Sequence, residues 1–395
     1  MDSKMSELRE IYLKLCMSSV FRDVLKKPLF KHFARYCSEN ATTEDKIKAY
    51  AAFVGEIYDR GDTLSALTNL LVSENENVYI KSLAHGGSVG DDVKCAVEAE
   101  LKAFEEFSRL TPEVFKEDMG VSYVSPFSTE ELDFVELYQN RVNNVDKLGY
   151  GIFSSYGMFR LSDDREIEPI ISADKTEIDK FVGYEVERGQ VVANTEAFIE
   201  GRPAANTLLC GDAGTGKSST VKAIANSFFN RGIRLIELRK DQLRYLPYVM
   251  GKISDNPLKF IIFIDDLSFN KSDDNFSMLK AALEGSAAAK ADNAVIYATS
   301  NRRHIIKETF EDRDGGDVHR NDTMQEILSL SERFGLVVLF SKPNKTLYLE
   351  IIHELAKRNG IKMDANELDV KAEAFALRRG NRSARCAEQF IESLM

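Results

Sequence analysis

Apolar residues recur at three and four spacing through the first third of the chain. "SELREIYLKLCMSSVFRDVLKK", "EDKIKAYAAFVGEIYDR", "DDVKCAVEAELKAFEEFSRL" and "TEELDFVELYQNRVNNV" each lay an apolar stripe along one helical face. Between them, "AHGGSVGDD" and "LTPE" supply the glycine, proline and capping residues that stop one helix and start the next. The pattern predicts an all-helical domain over residues 1–147, with no fixed-period repeat that would mark a solenoid. "YGIFSSYGMFRL" and "EIEPII" then flank "SDDR", which reads as a hairpin and linker over 148–173.

From residue 174 the period changes. Five short β-rich runs, "NTLLC", "IRLIEL", "FIIFI", "AVIYA" and "LVVLF", alternate with helical stretches. Alternation of this kind predicts a five-stranded, mostly parallel sheet covered by helices on both faces, over residues 174–342. After "SKPNK" the spacing turns helical again through "TLYLEIIHELAKR", "ANELDVKAEAFALRR" and "SARCAEQFIESL". Residues 343–395 therefore read as a small helical lid.

Composition narrows the class without naming a function. At 395 residues the chain is long enough for two or three domains, and 44% apolar with 29% charged residues describes a globular protein. No run of eighteen apolar residues occurs, and the opening "MDSKMSELREIYLKLC" mixes both charge signs, unlike a secretory or transit peptide. A cytoplasmic protein with no membrane contact is the expectation. Five cysteines without CxxC or Cys/His spacing argue against a disulfide framework or a zinc site, and are expected as buried, reduced thiols. A net charge of −11 disfavours nucleic-acid binding by the whole surface, leaving only a local basic patch as a route to it.

The chemistry concentrates in "GDAGTGKS", which fills GxxxxGK[ST] with Gly211, Gly216, Lys217 and Ser218. The motif follows a predicted strand and opens a predicted helix, the context it needs. Its glycines let the backbone amides of Asp212, Ala213, Gly214 and Thr215 close around phosphate oxygens, and the helix N-terminus, with Ser218 and Ser219, adds its positive dipole end. Lys217 would neutralise the β and γ phosphates, and Ser218 would ligate Mg2+. In P-loop ATPases the strand beside this loop ends in an acid that helps hold the metal, and "KFIIFIDDLSF" ends in two. Asp265 is the candidate metal ligand and Asp266 the candidate that orients the attacking water and accepts its proton. A turn capped by two acids is the plainer alternative. "NKSD" at 270–273 matches the guanine-reading NKxD of GTPases, but it stands only five residues past Asp265, and a polar surface loop is the preferred reading.

"VIYATSNRR" and "SLSERFG" resemble segments of the AAA+ ATPases. The resemblance implies that Asn301 is a first sensor, Arg333 a finger acting on a neighbouring subunit and Arg385 a second sensor in the lid. "FVGYE" is similar to the segment lining the adenine pocket in that superfamily, which implies Val182 and Gly183 as contacts. "NTEAFIEGRPAANTLL", "IDDLSF", "LEG", "IYATSNRRHI", "LSLSERFGL" and "RRGNRSAR" together resemble the uncharacterised bacterial AAA+ family known as domain of unknown function 815. Its better-known relatives are replication initiators and helicase loaders. The resemblance spans residue 150 to the end. Asn270 departs from it, since an acid is expected there. A planar, permanently charged fork at Arg333 suits a phosphate whose charge is being redistributed. Pairing with Glu332 is the alternative for Arg333, a solvated helix face or a nucleic-acid patch for Arg385, and a helix cap for Asn301.

These readings converge on an oligomeric ATP-driven switch or remodeller of a protein or nucleoprotein partner, with Mg-ATP as ligand and the helical domain contacting an unknown protein. Hydrolysis is expected to be slow and stimulated by assembly, because Asp266 is one methylene shorter than glutamate. Two alternatives stand beside it. A pore-threading unfoldase would need an aromatic, apolar loop, for which "YVMG" at 248–251 is a near miss. A non-hydrolysing module would use ATP only to stabilise its fold.

Overall fold

A computed structural model describes residues 7–60, 63–172, 175–267, 279, 283, 291–301 and 332–395. The chain forms two compact units, Met1–Ser155 and Tyr156–Met395.

In the first unit the apolar stripes fold into nine α-helices among the described residues: α1 (Glu7–Cys16), α2 (Pro28–Tyr36), α3 (Thr43–Arg60), α4 (Leu64–Ser73), α5 (Val78–Ala84), α6 (Asp91–Ser108), α7 (Pro112–Met119), α8 (Phe134–Asn143) and α9 (Val145–Leu148). Pro28 and Pro112 open their helices, where a missing N–H costs nothing. Thr63, Asn77 and Asp133 each accept a backbone N–H at the start of α4, α5 and α8. The core is rich in phenylalanine. Phe30 and Phe33 each lie 4.9 Å from Phe107, and Phe21 meets Phe104 edge-on at 5.9 Å.

The first apolar stripe does not continue as one helix. It stops at Cys16 and resumes as a single 3-10 turn at Val24–Lys26. The cause is Glu100 on α6, which is buried and accepts the backbone N–H groups of Ser19 at 2.7 Å, Val20 at 3.1 Å and Phe21 at 2.9 Å. Amides gathered around one carboxylate are drawn out of a helical ladder. The expectation of five buried thiols is also corrected: Cys37, Cys210 and Cys386 are buried, whereas Cys16 and Cys95 are exposed. No helix among the described residues is long and apolar enough to cross a membrane.

The second unit is built on a seven-stranded sheet. Its strands are β1 (Met158–Leu161), β2 (Ile167–Pro169), β3 (Thr207–Gly211), β4 (Ile233–Leu238), β5 (Lys259–Ile264), β6 (Ala294–Ser300) and β7 (Leu336–Phe340), in the order β2-β1-β4-β5-β6-β3-β7. Five of the seven are the runs expected from the sequence. The other two correct that count: the hairpin is part of the sheet, since β1 lies parallel to β4 and antiparallel to β2. Phe159 explains the addition. Alternating with exposed Arg160, it buries completely. Helices α10 (Glu185–Ile199), α11 (Lys217–Ser227) and α12 (Leu246–Ile253) belong to this layer. β3 and β5 are buried almost throughout, as befits parallel strands covered on both faces.

Three further helices, α13 (Lys345–Arg358), α14 (Ala365–Arg379) and α15 (Ala384–Glu392), form the lid around Tyr348, Ile352, Ala372 and Phe390. Asn344, Asp364 and Ser383 cap them, and Gly380, at φ 74°, closes α14. The near-miss segment at 248–251 lies inside α12, with Val249 and Met250 buried. Asn270 and the "NKSD" stretch lie outside the described residues.

Candidate functional site

Strand order sets what can meet at the carboxyl edge of the sheet. β5, which ends in the acid pair, was expected beside the phosphate loop, but β6 lies between β5 and β3. In the parallel register Leu209 faces Thr299, Cys210 faces Ser300, and Ile264 faces Ala298. The last residues of β6 and the one after it therefore stand between the loop leaving β3 and the acids leaving β5. Thr299 and Asn301 can touch both.

They do. Lys217, 5% exposed, donates to the carbonyls of Gly211 at 3.1 Å and Asp212 at 2.6 Å and to Asn301 Oδ1 at 3.0 Å. An ammonium has three protons, and all three are placed. Asn301 Nδ2 in turn donates to Asp266 Oδ1 at 2.8 Å. On the other side, Ser218 Oγ and Thr299 Oγ1 donate to Asp265 Oδ1 at 2.6 and 2.5 Å. Thr299 Oγ1 also accepts from the Asp266 amide at 2.9 Å. Burial pushes the Lys217 ammonium below the usual lysine range, and Asp212, Cys210 and both acids of the pair pull the other way.

The backbone is shaped to the same end. Gly211, Gly214 and Gly216 take φ of 137°, 77° and 88°. At Gly211 the constraint is absolute, because a Cβ there would stand 2.1 Å from the carbonyl oxygen of Phe340. Among the described residues, Asp266 is one of three non-glycine residues with positive φ, at 52°. Its amide bonds to Thr299 and to Asp265 Oδ1 hold that turn against the intrinsic cost of the conformation. Gly216 caps α11, an eleven-residue helix whose free amides face the loop. Loop amides, a helix N-terminus and a buried lysine together make a cradle of donors fitted to an oxyanion tail. Ser218 Oγ and Asp265 Oδ1 are hard oxygens side by side, the kind and number of protein ligands that magnesium accepts when phosphates and waters complete its shell.

The remaining sequence candidates are distributed around this cluster. Ala213 and Ser219 are exposed on the loop and the first turn of α11, and Thr215 is buried with its hydroxyl on the Asp212 carbonyl at 2.9 Å. The lid reaches the loop tip: the Arg385 amide donates to the Gly214 carbonyl at 3.3 Å, and the Arg385 side chain is exposed. Of its arginine neighbours, Arg382 is spent on a two-pronged pair with Glu373 at 2.6 and 2.9 Å, and Arg379 covers the Phe375 ring. Val182 packs on the lid core, and Gly183, at φ 74°, would bring a Cβ to 2.6 Å from Leu347 Cδ1. Arg333 is not brought to the cluster. It precedes β7, whose Leu336 pairs with Thr207 while Phe340 pairs with Gly211, so it stands at the opposite edge of the sheet. The four strand steps from Leu336 to Phe340, about 3.3 Å each, put it more than about 13 Å from its own phosphate loop.

Sequence reasoning missed two residues, Thr299 and Arg188, and the side-chain role of Asp212, which it names only for its backbone amide. Thr299 carries no motif of its own and is identified only by lying two residues before Asn301 on the intervening strand. Asp212 fixes the loop to the chain leaving β7 by accepting the Lys342 amide at 2.7 Å. Arg188, on α10, was hidden among the charges of an ordinary helix.

Residues 154–395 match the family described as Protein of unknown function (DUF815). No curated protein matches the chain. Among solved structures it is similar to the Thermotoga maritima RuvB Holliday junction branch migration motor, at 15% identity over 56% of this chain and 72% of that one, with a TM-score of 0.33. Two substituted forms of that RuvB match at 16% identity, covering 57% and 56% of this chain and 74% and 72% of theirs, with TM-scores of 0.34 and 0.35. Overlap of that size leaves function to be argued from the chain's own residues. With a family match over more than half its length, the chain belongs to the DUF815 family, and its second unit has a P-loop α/β fold in which the loop strand lies between β6 and β7 and a helical lid meets the loop tip, the arrangement that the resemblance to AAA+ ATPases implied.

Proposed function

We propose that the chain hydrolyses Mg-ATP and works as an oligomeric switch on a protein partner. The observation that carries this reading is the pair of hydrogen-bonded chains meeting at the carboxyl edge, Lys217–Asn301–Asp266 and Ser218–Asp265–Thr299. A fold-stabilising site would need the lysine and the loop; it would have no use for a second acid held by a polar side chain.

In this reading the amides of residues 212–218 bind the phosphate tail, and Lys217 exchanges its Gly211, Asp212 and Asn301 acceptors for phosphate oxygens. Ser218 and Asp265 hold Mg2+, which when bound supplies charge neutralisation at the phosphates. Asp266 orients water and accepts its proton, and Asn301, freed from Lys217, positions either the acid or the water. Val182 and Gly183 face the base. Arg385 projects from the lid toward the phosphates. Arg333, at the far edge of its own sheet, serves the site of a neighbouring copy, which makes hydrolysis depend on assembly.

The test is ATPase rate per subunit against protein concentration. The rate should climb steeply as copies associate, and Arg333→Ala should flatten it while leaving Mg-ATP affinity within about twofold. A rate independent of concentration, retained in Arg333→Ala, removes the trans finger. Asp266→Asn separates switch from module: it should abolish turnover and retain ATP, whereas a module that never hydrolyses shows no turnover to lose. The threading alternative gains nothing from residues 248–251, which are helical. A cytoplasmic location and a protein contact through the helical unit belong to the same proposal, with trapped Asp266→Asn protein as bait.

A further inference from the structure

Arg188 is a buried cation with too few partners. It is 6% exposed, on the second turn of α10. Its guanidinium lies over the Phe181 ring at 4.7 Å and near the Tyr184 ring at 5.8 Å, and Nη1 donates to the Gly183 carbonyl. Nε has no hydrogen-bond partner among the described residues. Glu185 and Glu187 are near enough to favour the cation, yet neither accepts a hydrogen bond from it, and Glu185 instead takes the Gly183 amide at 2.9 Å. Burial drives its pKa down to about 10, an unusual position for an arginine.

Its surroundings make the burial more costly. Nη2 lies 3.7 Å from where a Cβ of Gly216 would be, so the guanidinium abuts the residue that caps α11. The positive end of that helix and the buried Lys217 ammonium are on the same short stretch. A buried guanidinium, a buried ammonium and a helix N-terminus around one loop favour an anion between them. Aromatic rings account for one face of Arg188, and nothing among the described residues accounts for its free edge.

We propose that Arg188 is a nucleotide-binding residue that engages the α-phosphate end of a nucleoside 5′-phosphate, between the base side marked by Gly183 and the loop marked by Gly216. The proposal rests on the nucleotide-binding reading of the loop. Placement selects the α end: Asn301 and Asp266 mark the hydrolytic end and bond to Lys217, whereas Arg188 reaches the loop from the Gly183 side. A contact there serves ATP and ADP alike. It would hold ADP after turnover and make release of the product the step that Arg188 slows.

Arg188→Gln and Arg188→Met test this in the full chain, with Mg-ATP and Mg-ADP titrated calorimetrically at two salt concentrations and thermal unfolding followed without nucleotide. Loss of a charge-assisted contact should weaken both nucleotides by about tenfold to a hundredfold, with a shallower salt dependence. The nucleotide-free midpoint should stay or rise, because a buried charge whose Nε has no hydrogen-bond partner among the described residues has been removed. Arg188→Met keeps the stem against Phe181 and Tyr184 and carries the same expectation should the Gln variant not fold. A lowered midpoint with unchanged affinity makes Arg188 a strut and overturns the proposal. A loss confined to ATP overturns the assignment to the α end. Wild-type protein that binds neither nucleotide defeats the nucleotide reading itself, and unaltered binding by both variants defeats only this inference.

Discussion

Gly211→Ala is the sharpest test of how the phosphate loop is built. The new Cβ would stand 2.1 Å from the Phe340 carbonyl oxygen, 2.7 Å from its carbon and 3.1 Å from its nitrogen. All three are backbone atoms of a fully buried strand residue paired in register with Gly211, so no rotamer change can relieve them. Overpacking of this kind costs about 1–3 kcal/mol. Holding a non-glycine residue at φ 137° costs about 1–3 kcal/mol more. The total is about 4 kcal/mol, near the middle of the summed range. For a folding unit of this size that corresponds to a melting-point drop of about 8–16 °C. Gly189→Ala supplies the opposite sign. Gly189 lies inside α10 without positive φ and with nothing within 4 Å of its missing Cβ, so alanine there should stabilise by about 0.5–1 kcal/mol. Scanning calorimetry of the full chain reads both. A Gly211→Ala protein melting within about 2 °C of wild type would show that β3 and β7 do not meet as described.

Thr299→Val removes the hydroxyl that bonds Asp265 and the Asp266 amide while keeping the side chain's shape. It should slow hydrolysis at least about tenfold with little change in ATP affinity, and Thr299→Ser should restore the rate; equal rates in all three proteins would dismiss the residue. Lys217 titrates below the ordinary 10.5 because it is buried, so between its depressed value and 10.5 the unfolded chain holds the extra proton and stability rises with pH. Phosphate restores the charge, so ATP binding should take up protons increasingly toward alkaline pH, read from the buffer dependence of the binding enthalpy; proton release would contradict the assignment. Glu100→Gln places an amide NH2 against the backbone N–H groups of residues 19–21, and should cost about 1–3 kcal/mol in urea unfolding. An unchanged urea midpoint would remove Glu100 from the folding of that turn.

Among the five expected strands, those at 207–211 and 259–264 were legible because strands buried on both faces leave nearly unbroken apolar runs, and those at 233–238, 294–300 and 336–340 through short β-branched and apolar clusters, although Arg234 and Glu237 interrupt the first and Leu339 of the last is exposed. The tight turn at 211–216 was legible because its glycines answer a local demand on φ. What escaped was set by tertiary partners. "MFRL" gives no sign that it will pair with β4, since a four-residue strand has the same pattern on or off a sheet. The first helix ends where Glu100, 80 residues away, captures its amides. Strand order is likewise silent in the sequence: inserting β6 between β3 and β5 is what brings Thr299 to the acids, and no spacing along the chain records it.

The seat of the lid on Gly214 bears on how a chemical event could be transmitted. Ser383 Oγ and the Arg385 Cβ stand 3.2 and 3.4 Å from where a Gly214 side chain would begin, and the Arg385 amide holds the Gly214 carbonyl. The first turn of α15 thus rests on the loop's crest like a lever on its fulcrum. Nine residues make an arm about 13 Å long, so a tilt of about 10° at the crest would sweep the far end through about 2 Å.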